Sequence, residues 1–279
     1  MTQRKLVVEF TKMHGAGNDF IIIDNRFYYF SLEEQSYLSQ VLCERRMGIG
    51  ADGLIVLGNA TNVKADVDMR HYNPDGLAAS LCGNGTRCAA VYALHASMAT
   101  KSEVKIKSDV GVLNAVVKAQ ASESGHAAMV RMPSPTRYER LCIDSYEGVL
   151  HKVWTGTEHV VIEHAGNTDF LEVAPGIRHH PVFGKTGTNV NAIKIVGQNE
   201  ARIRTYEKGV EAETLACGTG ALAAAYVLME QAELCQERQM ITLHARGGTL
   251  NAHRIDEHWY LEGPVEFVYR GSFEYSGIT

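Results

Sequence analysis

Two cysteines carry the chemistry this chain offers most plainly. Cys82 and Cys217 each stand immediately before a Gly-x-Gly that opens an Ala-rich segment: Cys82-Gly83-Asn84-Gly85 and Cys217-Gly218-Thr219-Gly220. A helix starting there presents unsatisfied N–H groups and the positive end of its dipole. Glycine lets a ligand come close to those donors. Each motif therefore sets a thiol beside an anion cradle. Two matched thiols suit a redox disulfide, or they suit two-base proton transfer. In the second scheme one thiolate removes a proton from carbon and the opposite thiol returns one to the other face. The stereocentre inverts and no cofactor is needed. An ordinary thiol, with a pKa of about 8.5, is only about 3% ionised at pH 7. Lowering that pKa by about 1.5 takes ~2 kcal/mol, which a helix N-terminus approaches. Two neighbouring thiolates repel, so the pair shares one proton and titrates as a unit. An α-proton is far less acidic than a thiol. Helix ends aimed at the substrate carboxylate stabilise the charge that develops there, and a closed, dry cleft strengthens them. Domain closure is an expected step. Bases on opposite sides of one carbon must leave room for it, so the sulfurs should lie too far apart for a relaxed bridge.

The elements that must position these thiols occur twice. Met69-Arg70-His71-Tyr72-Asn73 resembles Ile203-Arg204-Thr205-Tyr206-Glu207, and the two cysteine motifs resemble each other. Gly111-Val112-Leu113-Asn114-Ala115 resembles Gly248-Thr249-Leu250-Asn251-Ala252. The offsets, 134, 135 and 137 residues, are nearly constant and in the same order. Duplication predicts two like domains, 1–124 and 125–265, with a site in the cleft between them. The boundary falls at the turn-like stretch Ser122–Gly125. Helices are predicted over Ser31–Cys43, Gly83–Ala96 and Gly218–Glu233. The first carries a capping box, Ser31 with Glu34, and an apolar face of Tyr37, Leu38, Val41 and Leu42. Short β-branched runs predict strands at Leu6–Phe10, Phe20–Ile23, Leu54–Leu57, Val104–Ile106, Val112–Val117, Val160–Ile162, Ala192–Val196, Ile241–Leu243, Tyr260–Leu261 and Val265–Tyr269. Many strands with few helices give an α+β class.

Composition narrows the alternatives. The 279 residues hold 27 Lys+Arg against 32 Asp+Glu, a formal charge of -5, with 45% hydrophobic residues. That is a globular chain with no basic patch to attract nucleic acid. No stretch is long and apolar enough for a membrane span. The N-terminus reads as a strand start rather than a signal peptide. Six cysteines without a secretory signal read as reduced cytoplasmic thiols. Cys43, Cys88, Cys142 and Cys235 are expected to be apolar fillers. Gly48-Ile49-Gly50-Ala51-Asp52-Gly53 spells G-x-G-x-x-G, but a helix precedes it and a strand follows, the reverse of a dinucleotide loop. It reads as a tight helix-to-strand turn. There is no P-loop, and Cys82 with Cys88 lacks the second pair that zinc needs. No metal or cofactor is expected.

The residues around the two cysteines resemble the diaminopimelate epimerase family, the cofactor-independent enzymes that interconvert LL- and meso-diaminopimelate for lysine and cell-wall synthesis. The likeness covers Lys12–Phe20, Gly48–Leu54, Tyr72–Gly76 and Cys82–Gly85. It continues through Thr188–Asn191, Tyr206–Val210, Glu213–Gly220 and Glu262–Pro264. It implies two pseudo-symmetric domains, each a curved mixed or antiparallel sheet around a central helix. The last strand, about 266–279, would return to the first domain. Cys82 and Cys217 would be the bases, one for each epimer. Gly83, Asn84, Gly218 and Thr219 would hold the α-carboxylate. Asn18, Asn73, Asn191, Glu207 and Lys208 would hold the amino groups and the far end, with Glu207 and His159 beside the thiols. It also implies a homodimer whose partner is otherwise only a small amino acid. Read without the resemblance, Asn18 and Asn73 are turn residues, Glu207 a solvated strand end, and His159 a structural histidine. Asn191 on the same reading bonds only backbone. Three departures from the family pattern fall on the substrate's far end. Lys208 stands where arginine is usual, Gly156-Thr157-Glu158-His159 replaces Gly-Asn-Pro-His, and the interval from Glu207 to Cys217 is one residue longer. A racemase of another amino acid, such as histidine or glutamate, is therefore the neighbouring reading. A redox protein is a second rival. A binding protein that lost the reaction is the third, and the presence of both cysteines argues against it.

Overall fold

The computed structural model describes residues 5–79, 81–122, 125–163, 169–231 and 239–277. The chain divides into two compact units, Met1–Val130 with Pro264–Thr279, and Arg131–Gly263. Of the expected boundary Ser122–Gly125, Glu123 and Ser124 lie outside the described residues.

Unit 1 contains β1 (Leu6–Gly15), β2 (Asn18–Asp24), α1 (Leu32–Cys43), β3 (Gly53–Asn59), β4 (Val67–Tyr72), α2 (Gly83–His95), β5 (Glu103–Ser108), β6 (Gly111–Ser122) and β7 (Gly125–Met132). Unit 2 contains β8 (Thr136–Ile143), β9 (Tyr146–Trp154), β10 (Glu158–Glu163), α3 (Phe170–Arg178), β11 (Asn189–Gly197), β12 (Glu200–Glu207), β13 (Ala212–Thr214), α4 (Gly218–Gln231), β14 (Met240–Ala245) and β15 (Gly248–Ile255). The long β16 (His258–Tyr275) serves both.

The duplication is written in the hydrogen-bond ladders. In unit 1, β2–β3 is parallel, β3–β4 antiparallel, β4–β5 parallel and β5–β6 antiparallel. In unit 2, β10–β11, β11–β12, β12–β14 and β14–β15 repeat that series. The helices α1 and α3 fill one crossover in each unit, and α2 and α4 fill the other. Both sheets are therefore mixed, in a two-unit α+β fold. The sheet of unit 1 runs β1 to β7 in sequence order, then β16, which returns to β1 and closes it like a barrel.

The long helices are buried nearly all round. From Gly83 to Val91 every residue of α2 is buried, and it packs on β1, β2, β3, β5 and β6. Helix α4 buries Gly218 and Gly220–Ala225 and packs on β9 to β12, β14 and β15. An amphipathic stripe would not serve a helix wrapped by its sheet. Hence both are rich in small apolar residues.

Several expectations change on contact with the fold. Ser31 caps α1 and the capping box forms, with Glu34 N donating to Ser31 Oγ at 3.2 Å and Ser31 N to Glu34 Oε2 at 2.8 Å. The buried face, however, is Gln35, Leu38, Ser39, Leu42 and Cys43. Tyr37 and Val41 point outward, because polar Gln35 and Ser39 find partners inside: Phe30 O and Asn73 O. The predicted strands at Tyr260–Leu261 and Val265–Tyr269 are one 18-residue strand, β16. Gly263-Pro264 falls inside it. It lies where the strand leaves β15, last paired at Glu262, and takes up β1 from Glu266, so the missing proline N–H costs little. Cys43 and Cys88 are buried, but Cys142 is exposed on β8, the strand that ends the sheet of unit 2. Cys235, and the predicted helix end at Ala232-Glu233, lie outside the described residues. Among the described residues no helix is long and apolar enough to cross a membrane.

Candidate active site

In unit 1, Cys82 is the N-cap of α2. Its Sγ accepts the Gly85 N–H at 3.4 Å and its carbonyl accepts the Thr86 hydroxyl at 2.8 Å. The Asn18 amide oxygen, from the start of β2, lies 3.6 Å from that sulfur and also accepts Asn84 Nδ2 at 3.2 Å. Asn18 cannot flip, since its Nδ2 donates to Asp52 Oδ2 at 2.8 Å. Asp52 belongs to the glycine-rich turn between α1 and β3, so the false dinucleotide loop supports the cysteine. Arg45 clamps Asp52 at 2.6 Å and Asp19 at 2.7 Å, while the buried Lys12 reaches Asp19 and the Gly50 carbonyl. Burial works against ionising Asp19, but Arg45 and Lys12 outweigh it and hold the carboxyl far below the usual range.

In unit 2, Cys217 Sγ accepts the Gly220 N–H at 3.4 Å and lies 3.4 Å from Thr219 Oγ1. Behind that hydroxyl stands His159 on β10, fully buried, with Nε2 at 2.9 Å. The tautomer follows from the next bond. Asn191 Nδ2 donates to the Val160 carbonyl at 3.0 Å and approaches His159 Nδ1 at 3.0 Å, and Asn191 Oδ1 accepts the Thr205 hydroxyl at 3.0 Å. The amide orientation is thus fixed, Nδ1 accepts, and the imidazole proton sits on Nε2. His159 therefore donates to Thr219 Oγ1, which leaves that hydroxyl free to donate its own proton to a Cys217 thiolate. Burial, with the Lys208 charge, pushes His159 down to about 3 against the pull of Glu158, so the ring is neutral.

Glycine is needed at the third motif position for close approach. A Cβ on Gly220 would sit 2.2 Å from Asn191 Oδ1, and one on Gly85 would sit 3.2 Å from Ile55 Cδ1.

The remaining expected residues divide. Gly83 and Gly218 open their helices, and Asn84 is buried. Glu207 ends β12, paired with Ala212, and Lys208 follows it. Asn73 is exposed in a turn, its carbonyl accepting Ser39 Oγ and Gly76 N. Asn191 spends both its amide hydrogens inside the protein, on the Val160 carbonyl and on His159. Asn189 was missed. It shares the β11 face of Asn191, donates to the Glu158 carbonyl at 2.8 Å and accepts Lys208 N at 2.8 Å. The period of two along Asn189-Val190-Asn191 carried that signal. It ties together the two segments whose side chains pair, Lys208 Nζ with Glu158 Oε2 at 2.7 Å. That bond, against a smaller burial effect, lowers the Glu158 carboxyl. Among the described residues no group of three or more His, Cys, Asp or Glu could hold a metal ion.

The model of the diaminopimelate epimerase family matches residues 10–136 and 152–268. Diaminopimelate epimerase of Methanocella arvoryzae is 36% identical over 281 residues, covering 96% of this chain and 97% of its own. That of Methanothrix thermoacetophila is 37% identical over 278 residues, covering 95% of each. The chain belongs to the diaminopimelate epimerase family. It is an isomerase, an epimerase. Solved structures share the fold at lower identity. A hydroxyproline epimerase from Agrobacterium vitis aligns with a TM-score of 0.69 at 12% identity, over 97% of this chain and 93% of its own. A phenazine biosynthesis protein of the PhzF family from Bacillus anthracis aligns with a TM-score of 0.69 at 14% identity, over 96% and 99%.

Proposed function

We propose that this epimerase interconverts LL- and meso-2,6-diaminopimelate by two-base catalysis, with Cys82 and Cys217 as the bases and no pyridoxal phosphate. The observation that carries the reading is the matched placement of the two cysteines. Each opens the central helix of its unit, and each accepts the N–H three residues on.

The reaction balances without a co-reactant. A thiolate takes the α-proton and becomes a thiol. The opposite thiol protonates the other face and becomes a thiolate, so the free enzyme emerges with the two roles exchanged. The α-carboxylate gains charge as the carbon ionises, and helix N-termini at Gly83-Asn84 and Gly218-Thr219 stabilise it there. Glu207 and Lys208 serve the substrate's amino groups and far end. The mechanism requires one sulfur on each face of the α-carbon, and exclusion of water by closure. The setting is lysine and peptidoglycan precursor synthesis in the cytoplasm, with the enzyme as a homodimer.

One observation favours a second reading, a racemase of another amino acid. Lys208 is already paired with Glu158, and an ammonium lacks the two-pronged fork of arginine for a distal carboxylate. Incubating the enzyme with LL-diaminopimelate, without added metal or pyridoxal phosphate, followed by chiral separation, tests the main reading. Formation of the meso isomer supports it. Measuring α-proton exchange in D2O across a substrate panel decides between the two readings. Exchange with histidine or glutamate but not diaminopimelate overturns the first.

A further inference from the structure

Arg87, on the second turn of α2, is the largest fully buried side chain among the described residues. Its charge is unaccounted for. The guanidinium makes one hydrogen bond, Nη2 to Asn84 Oδ1 at 2.7 Å, while Nε and Nη1 have no hydrogen-bond partner. No carboxylate lies within ion-pair distance of it among the described residues. Arginine cannot shed its proton, and an uncompensated buried charge is expensive. Burial disfavours the charged form here, and the groups that oppose this are the sulfurs of Cys88 and Cys82.

Those sulfurs differ. Cys88 is fully buried, and burial pushes its thiol up to about 12, leaving it neutral. Cys82 is half-buried at the helix end. The bond to Asn84, three residues back, turns the guanidinium toward that end. The same bond fixes the Asn84 amide, so that Nδ2 is offered to Asn18 beside Cys82. In the other copy the equivalent position is Leu222, fully buried and uncharged.

We propose that Arg87 is a positioning residue for Cys82, locking the Asn84 amide and supplying the buried positive charge that favours Cys82 as a thiolate. The inference rests on Cys82 acting as an acid or base. Among the described residues, the carboxylates linked to Cys82 through Asn18 are paired with other cations. Asp52, reached through Asn18, is paired with Arg45. Asp19 is paired with Arg45 and Lys12. Burial holds His71 on β4 neutral, its pKa pushed down to about 4.

Native-state alkylation with iodoacetamide across a pH series, read by peptide mass spectrometry, follows Cys82 and Cys217 in the same sample. Arg87→Leu is expected to slow Cys82 alkylation at neutral pH by about tenfold, as its profile moves up by about one pH unit. The Cys217 profile should move by less than about twofold. Arg87→Lys, which keeps the charge, should retain the wild-type Cys82 profile. If Arg87→Leu does not fold, Arg87→Gln carries the test, keeping a donor for Asn84 and losing only the charge. A folded neutral variant with an unmoved Cys82 profile overturns the proposal, as does an equal shift at Cys217. So does a wild-type Cys82 that titrates at or above an ordinary thiol, which needs no variant. Wild-type α-proton exchange is measured alongside. Loss of that exchange with an Arg87-dependent Cys82 profile defeats only the proposed reaction, and the converse defeats only this inference.

Discussion

Cys82 and Cys217 begin equivalent helices in two copies of one topology, and corresponding strands, β2 and β10, supply the groups behind them. The supports nevertheless differ in kind. Behind Cys82 stand an amide oxygen, a clamped Asp–Arg cluster and a buried cation. Behind Cys217 stand a hydroxyl, a neutral histidine and an asparagine. Duplication kept the backbone cradle, which both thiols need equally. It let the side chains diverge, as they must if the substrate's two faces carry different neighbours.

The sharpest way to break the comparison is to remove one thiol at a time. Cys82→Ala and Cys217→Ala should each lower epimerisation by at least about 10^3-fold, consistent with loss of a positioned acid or base. Chiral separation reads this, and a single variant that retained activity would end the two-base symmetry.

Next in size is acid stability. His159 is held neutral at about 3 and His71 at about 4, both by burial first. Both values lie below that of an unfolded histidine, so between those limits the unfolded chain binds more protons than the folded one. Their contribution is fully present above about pH 6.5 and is lost as the pH falls toward about 3 to 4. Chemical denaturation at pH 7 and pH 4.5 should differ by a few kcal/mol, roughly. His159→Gln and His71→Gln should each flatten that slope by a similar amount, since both folded-state values lie below the window.

The glycines give a smaller contrast. Gly220→Ala drives a methyl into Asn191 and should cost about 1–3 kcal/mol in thermal unfolding. Gly85→Ala meets the Ile55 side-chain end at 3.2 Å and the Phe20 ring at 3.4 Å, looser than the 2.2 Å clash at Gly220, and should cost less. Smallest is Arg45→Ala, whose ion pairs are solvent-exposed and worth about 0–1 kcal/mol. If it lowered turnover more than stability, the Arg45–Asp52–Asn18 chain would matter to Cys82.

Periodicity and repeats made much of this legible. The repeat at about 135 residues anticipated the doubled ladder series, and the capping box marked α1. The turn reading of Gly48–Gly53 holds, with Gly50 at φ +81°. What stayed hidden was local sequence overruled by packing. Helix α3 carries Pro175 and Gly176, which a propensity reading rejects. Strand β8 is mostly exposed and polar, with no apolar run to flag it. Around the cysteines, Asp52 and Asn189 were invisible as partners because their contacts cross 34 and 31 residues of chain. No local pattern reports such pairings.

Strand β16 has a consequence for synthesis. Its segment from Glu266 to Tyr275 pairs with β1 along Leu6 to His14, so β1 gains this neighbour only after all the residues between them have been made. During translation β1 lacks this neighbour until β16 leaves the ribosome, and an open strand edge invites pairing with other nascent chains. Unit 1 must therefore wait, incompletely folded, while unit 2 is made.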